Sequence, residues 1–134
     1  MNMPENIREF LREHLIGLRQ TMNLNHFKID LVFCNLRNAT MAIEVDFRYL
    51  DATIDIDRKT VIQMWDMGRK RRILECLAHE CSHILTQELT DPLHWKGVSY
   101  KKQTKEQKHY EERVTEHVSR LALELYLLEG NIKL

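Results

Sequence analysis

The chain has 134 residues, of which 43% are hydrophobic, and this size is typical of one domain with a single hydrophobic core. Its 20 basic and 20 acidic side chains cancel to a formal charge of zero, which argues against a partner recognised by overall charge, such as nucleic acid or an anionic membrane surface. No apolar run approaches the roughly 20 residues that a membrane-spanning helix needs, and the charged N-terminal segment MNMPENIREFLREHL does not resemble a signal peptide. We therefore expect one soluble domain, residues 1–134, that stays in the cytoplasm.

The cysteines support the same location. Cys34, Cys76 and Cys81 are an odd set without the dense spacing of a disulfide framework. We therefore expect reduced thiols. Cys81 lies inside the motif described below, but on a helix it would point away from the two motif histidines, so we interpret it as a packing residue.

The first half of the chain predicts one helix followed by a small sheet. Apolar residues recur at helical spacing at Ile7, Phe10, Leu11, Leu15, Leu18 and Met22. From Phe27 the period changes to two, which predicts strands at 27–33, 43–47 and 54–56. With the segment 35–40 as the first turn, the simplest arrangement is a mainly antiparallel three-stranded meander. The segment 58–67 is ambiguous.

The second half predicts two long helices. The pattern becomes helical after Gly68 and stops at Asp91-Pro92, because proline cannot continue a helix. A less regular stretch leads to a final helix from about Thr104 to Glu129, with Gly130 and Asn131 as its C-terminal cap. The predicted fold class is therefore α+β.

The sequence HECSH at positions 79–83 lies in the middle of the first of these helices. Residues four apart share a helix face, so His79 and His83 can offer their imidazoles to one ion. Zn²⁺ lowers the pKa of a bound water to about 7, and Glu80 is placed to take a proton from that water and pass it to a leaving amine. The motif therefore predicts a Zn²⁺ site with Glu80 as the catalytic acid and base.

A catalytic zinc normally has three protein ligands and one open position. The pattern HExxHxxGxxH would require Gly at position 86 and His at position 89, where this chain has Thr86 and Leu89. The alternatives are a carboxylate of the final helix or His94 in the segment between the two helices.

The final helix contains the sequence YEERVTEHVSRLALEL. Its apolar residues predict a buried stripe formed by Val114, Val118, Leu121, Ala122 and Leu125. Glu111 lies roughly 45° from the centre of that stripe, and Glu112 lies more than twice as far round the helix. A carboxylate beside a core is costly to desolvate unless it meets a cation. We therefore predict Glu111 as the third ligand, with Glu112 and His94 as alternatives.

The two motifs, LAHECSHIL and EERVTEHVSRLALEL, resemble those of small gluzincin-type metallopeptidases, above all the ImmA/IrrE-like and phage-associated minimal zincins. The resemblance implies a zincin-like fold with an N-terminal helix, a short sheet, the HExxH helix and a later helix that opens with a glutamate ligand. Glu111, Val114 and Thr115 occupy the positions of the second motif. The resemblance implies His79, His83 and Glu111 as ligands and Glu80 as the general base.

The SprT-like proteases, which use HExxH with a later loop histidine, are a second resemblance. There, His94 in LHWKG would be the ligand, although Trp95 follows it where that family usually has a glycine. His94, His109 and Tyr110 are also candidates to polarise a substrate carbonyl or stabilise a transition state. We interpret the basic run at 69–72 and the lysines at 101–108 as solvated faces, so nucleic acid is not the expected partner.

The expected function is zinc-dependent hydrolysis of peptide bonds, with a peptide or protein substrate aligned along an exposed sheet edge. The alternative is a non-catalytic interaction protein that keeps zinc as a structural element or has lost it. A closed site with four protein ligands would favour this alternative, because catalysis needs an open position.

Overall fold

The chain is α+β in a computed structural model that describes residues 2–90 and 105–134, with the side chains of residues 89 and 90 excepted. The elements are α1 (Glu5–Thr21), β1 (Lys28–Cys34), β2 (Met41–Asp46), β3 (Asp51–Asp57), α2 (Arg58–Asp66), α3 (Lys70–Thr90) and α4 (Lys105–Glu129). The predicted first helix, three strands, motif helix and final helix are all present. The predicted helix stop at Asp91-Pro92 lies outside the described residues. Among those described, no helix is both long and apolar enough to cross a membrane.

The sheet is mixed, and the predicted meander is wrong. The strand order is β1-β3-β2, with β3 parallel to β1 and antiparallel to β2, so that Ile54 pairs with Leu31 on one side and Ile43 on the other. Alternating apolar residues predict which side chains are buried, but they do not encode strand direction or order. In the central strand β3, the inward residues Ala52, Ile54 and Ile56 are all buried. Residues 35–40 therefore connect the two edge strands.

The ambiguous segment is the helix α2, and Asp57 explains where it begins. One carboxylate oxygen of Asp57 accepts hydrogen bonds from the backbone N–H and the hydroxyl of Thr60, at 3.0 and 2.5 Å. The other oxygen accepts the backbone N–H of Leu36 at 2.8 Å. A single side chain thus caps α2 and ties it to the connection between β1 and β2.

The core lies between the sheet and the helices α1 and α3. Apolar residues of α1, including Ile7, Leu11 and Leu18, pack with Ile54 and Ile56 of β3 and with Ile73, Leu77 and Ile84 of α3 in one continuous cluster. α4 covers α3 and reaches α1, where the ring of Tyr126 lies against Gly17 and its hydroxyl lies 2.6 Å from Nδ1 of His14. The motif helix is therefore fixed from both sides.

The buried stripe predicted for α4 is wrong. Leu121 and Leu125 are 73% and 48% exposed, and Val114, Val118 and Ala122 are only half-buried. The residues that α4 buries are Glu111, Thr115, Ser119, Leu123, Tyr126 and Leu127. Half of these buried residues are polar. Thr115 can be buried because its hydroxyl is hydrogen-bonded: Oγ1 donates to the carbonyl of Glu111 at 2.7 Å and lies 2.7 Å from the hydroxyl of Thr86.

We predict that Asp57→Ala lowers the free energy of unfolding by about 1–2 kcal/mol, the usual cost of losing a helix N-cap. Hydrogen bonds from Thr60 and Leu36 hold the pKa of Asp57 below its ordinary value. Its contribution is therefore present at neutral pH and is lost as the pH falls through the folded-state pKa. Urea unfolding at several pH values measures both effects. In the matched control Asp66→Ala, the exposed carboxylate at the end of α2 is removed, and stability should change by a few tenths of a kcal/mol. An equal loss in both variants would contradict the capping role.

Candidate metal centre

His79, Glu80 and His83 lie on the side of α3 that faces α4. The opposite side of α3 is anchored in the core by Leu77 and Cys81, which are fully buried. His79 and His83 keep side-chain exposures of 23% and 9%, and their rings lie 4.9 Å apart and nearly perpendicular. One potential ligand atom from each of the three motif residues lies within 4.8 Å of the other two. The helix therefore forms the compact donor group that the motif predicts.

A carboxylate of α4 faces both imidazoles. One oxygen of Glu112, Oε2, lies 3.3 Å from Nε2 of His79, and the other, Oε1, lies 3.2 Å from Nε2 of His83. Glu112 is about half exposed, so it approaches the histidines from the open side of the interface. Each Nε2 atom therefore pairs with a different oxygen of Glu112. The described donor atoms that converge within 4.8 Å of one another are those of His79, Glu80 and His83. Two imidazoles and a carboxylate are the combination that zinc hydrolases use.

The other nitrogen of each imidazole faces a second carboxylate. Oε2 of Glu116 lies 3.1 Å from Nδ1 of His79, and Oε1 of Glu111 lies 3.6 Å from Nδ1 of His83. Glu111 is only 1% exposed, whereas Glu116 borders an open cleft. A carboxylate on the second ring nitrogen fixes the orientation of a metal-binding histidine and makes it a better ligand.

Both glutamates that the sequence offered as the third ligand, Glu111 and Glu112, lie near the motif histidines. The prediction that Glu111 is directed inward is consistent with its burial, but the structure puts it against Nδ1 of His83 and puts Glu112 against the two Nε2 atoms. The angular estimate that separated these glutamates used the wrong stripe. Measured from the residues that α4 buries, Glu111 and Glu112 lie on opposite sides of the stripe's centre, at roughly 75° and 25°. Both therefore face α3.

His109 and Tyr110 lie apart from this cluster. Both are exposed on the first turns of α4, and Arg113 lies over the Tyr110 ring. Among the described contacts, none joins either residue to the motif histidines. His94 and Trp95 lie outside the described residues. Glu116 was missed by the sequence analysis, although its position four residues after Glu112 places both on one helix face and would have marked it.

Charges inside the interface shift the ionisation of the motif residues. Burial raises the pKa of Glu80 to about 7, with a further rise from Glu112 and a partial reduction from His83. For His83, burial lowers the pKa, but the nearby carboxylates of Glu111, Glu112 and Glu80 outweigh it, so the net shift is upward. The protein thus gathers more negative charge around the two histidines than they can neutralise, as expected of residues that share a cation.

A cleft of about 660 Å³ opens beside His79 and Glu80. It runs between α3 and α4 and reaches Thr40 and Met41 at the start of β2, which is an edge strand of the sheet. Ion pairs of Arg71 with Glu75 on α3 and with Glu124 on α4 line its far end. The cleft gives a molecule from solvent access to the motif residues.

No protein-family model, curated protein sequence or solved structure matches this chain.

We predict that Cys81 resists alkylation in the folded protein. It is fully buried, and burial raises the pKa of its thiol to about 12, so almost none of the reactive thiolate forms at pH 8. Peptide mass mapping after brief iodoacetamide treatment should find Cys34, which is partly exposed, modified and Cys81 intact. The same treatment in urea, which unfolds the chain, should modify both. Labelling of Cys81 in the native protein at the rate of Cys34 would contradict its packing role.

Proposed function

We propose that this chain is a zinc-dependent metallopeptidase that hydrolyses peptide bonds at the interface of α3 and α4. The observation that carries the proposal is the position of Glu112, whose two carboxylate oxygens lie 3.2 and 3.3 Å from the Nε2 atoms of the two motif histidines. Helix geometry alone explains why His79 and His83 are neighbours, but it does not explain why a second helix directs a carboxylate at both of them.

In this proposal the zinc ligands are His79, His83 and Glu112. Glu112 replaces Glu111, the ligand that the sequence and the family resemblance favoured. Glu111 and Glu116 take a different role: Glu116 accepts the Nδ1 proton of His79, and Glu111 lies 3.6 Å from Nδ1 of His83. Each carboxylate thereby favours a proton on Nδ1 and leaves the Nε2 lone pair of that ring for the ion. The donor set fits Zn²⁺, which binds imidazole nitrogen and carboxylate oxygen in groups of three at catalytic sites.

The same residues suggest how hydrolysis proceeds. When bound, zinc would act as a Lewis acid that lowers the pKa of water and polarises a substrate carbonyl. Glu80 lies beside the histidines in a largely buried environment that favours proton exchange near neutral pH. It accepts a proton from the attacking water and donates it to the leaving amine. Glu116 and Glu111 keep the imidazoles aligned throughout.

The cleft and the edge strand suggest the substrate class. Among the described strands, β2 pairs with β3 on one side only, and its first residue, Met41, lines the cleft that also contains Glu80. An extended peptide could add to the other edge of β2 through main-chain hydrogen bonds and so pass beside the motif residues. This mode recognises the backbone more than the side chains. A peptide or an unfolded protein segment is therefore the substrate class that we infer.

The element order also suggests a zincin-like fold, as the resemblance of the two motifs implies. An N-terminal helix, a short sheet, the HExxH helix and a later helix with its glutamates occur here in that order. The three cysteines are free, which is compatible with the reducing cytoplasm that we propose as its location.

One observation favours a second candidate function. A potential ligand atom of Glu80 lies within 4.8 Å of those of His79 and His83, so Glu80 could bind the ion itself. With Glu112 this would give four protein ligands and no open position, the arrangement of a structural site. The chain would then be a non-catalytic zinc protein.

The variant Glu80→Gln separates the two functions. For the peptidase, we expect one zinc per chain to be retained and hydrolysis to fall at least 100-fold, because general acid and base catalysis is lost. Zinc is measured by elemental analysis of tag-free protein, and hydrolysis by a fluorogenic mixed-sequence peptide library. The control Glu75→Gln changes the same chemical group one turn earlier on α3, where it pairs with Arg71 and Arg72, and should retain both properties.

Two results would contradict the peptidase. Loss of zinc from Glu80→Gln, with Glu75→Gln unaffected, would make Glu80 a ligand and support the structural site. Hydrolysis by Glu80→Gln at the rate of the unmodified protein would show that Glu80 does not transfer the proton.

A further inference from the structure

α4 carries an exposed apolar stripe that packs against no other described element. We call Val114, Val118, Leu121, Leu125 and Leu128 the α4 stripe. Leu121 and Leu128 are 73% and 76% exposed, Leu125 is 48% exposed, and the two valines are half-buried. Single exposed leucines are ordinary, but five apolar residues in one line on one helix mark a binding surface.

The spacing of the stripe indicates what it binds. Its members follow one another at intervals of four, three, four and three residues. The average interval is 3.5 residues, which is the spacing of the apolar residues in a two-helix coiled coil. In a coiled coil, each of these side chains inserts between side chains of the facing helix. The stripe is about 21 Å long at 1.5 Å per residue, which matches two heptads. A partner in the form of an amphipathic helix therefore fits it.

The stripe lies away from the candidate metal centre. On the helical wheel its centre is roughly 160° from Glu116 and about 135° from the centre of the face that packs on α3. A helix docked on the stripe would leave the cleft beside His79 and Glu80 open. The stripe is therefore separate from the motif residues, and the neighbouring Arg120 and Glu124 also line the cleft.

The charges beside the stripe indicate that the partner is a second copy of this chain. Between positions 113 and 129, the basic residues come before the acidic ones along the helix, if Glu116, which contacts His79, is left aside. They are Arg113, His117 and Arg120, followed by Glu124 and Glu129. All five are exposed. Two parallel copies would place like charges together, whereas two antiparallel copies place the basic half of each helix beside the acidic half of the other.

We propose that the α4 stripe is the interface of an antiparallel homodimer. In the register that brings unlike charges together, Val118 packs on Leu121 of the second copy, and Val114 packs on Leu125 of the second copy. The same register places His117 beside Glu124 of the second copy. The alternative apolar register, one heptad further along, would place the two Glu124 side chains against each other.

Analytical ultracentrifugation over a range of concentrations tests the dimer. We expect the unmodified protein to reach twice its chain mass of 16.1 kDa. Leu121→Glu, which puts a charge at the centre of the seam, should weaken dimerisation roughly 100-fold or more. Ile16→Glu is the matched control, because Ile16 on α1 is 58% exposed and lies outside the stripe. It should leave the dimer intact. Circular dichroism checks that both variants remain folded.

A monomer at every concentration, or a dimer equally stable in Leu121→Glu, would overturn the proposal. The orientation is tested with Val114→Cys and Leu125→Cys, each made together with Cys34→Ser and Cys76→Ser. Identical positions in an antiparallel pair lie about 16 Å apart along the axis, so each variant should form little disulfide alone and much when the two are mixed. Efficient crosslinking of each variant alone would indicate a parallel pair and contradict the proposed register.

Discussion

The contact between two histidines of α3 and three glutamates of α4 is the constraint on which the rest of the structure depends. Glu111 is 1% exposed, and a buried carboxylate without a positive or hydrogen-bonding partner would cost several kcal/mol. The imidazole of His83 offsets part of that cost as an ion-pair partner, because its Nδ1 lies 3.6 Å from Oε1 of Glu111, which is too far for a hydrogen bond. Glu112 and Glu116 supply further carboxylates to the same pair of rings. The charges of these five side chains, two histidines and three glutamates, are therefore coupled to one another. A dication would balance them, because three carboxylates carry more negative charge than two imidazolium rings can neutralise.

The fold holds α3 and α4 in the relative position that brings the histidines and glutamates together. The hydroxyls of Thr86 and Thr115 lie 2.7 Å apart and fix the axial position of α4 on α3 one turn away from the histidines. Core packing on the other side of α3 prevents the helix from rotating. The polar residues of α4 consequently face inward, while several of its leucines remain outside. A helix that directs its polar side to the two motif histidines and part of its apolar side to solvent can serve both a site and an interface.

The sequence predicted those features that local geometry determines. The HECSH spacing places His79 and His83 together on any α-helix, and period-two alternation identified all three strands. It could not predict the order β1-β3-β2, because alternation contains no information about strand direction. The sequence pattern also misplaced the buried face of α4. It predicted that the apolar residues point inward, whereas the structure buries Thr115 and Ser119 on that face. The choice between Glu111 and Glu112 depended on that face and therefore required the tertiary structure.

Zinc affinity of Glu112→Gln beside Glu111→Gln tests the account most directly, with competition against a chromogenic chelator as the measurement. Loss of a ligand should weaken zinc binding by Glu112→Gln at least 100-fold, whereas Glu111→Gln keeps an oxygen acceptor for Nδ1 of His83 and should stay within about tenfold of the unmodified protein. Thermal unfolding of both variants checks that the fold is retained. The reverse order of affinities, or undiminished binding by Glu112→Gln, would contradict the assignment of Glu112 as the third ligand.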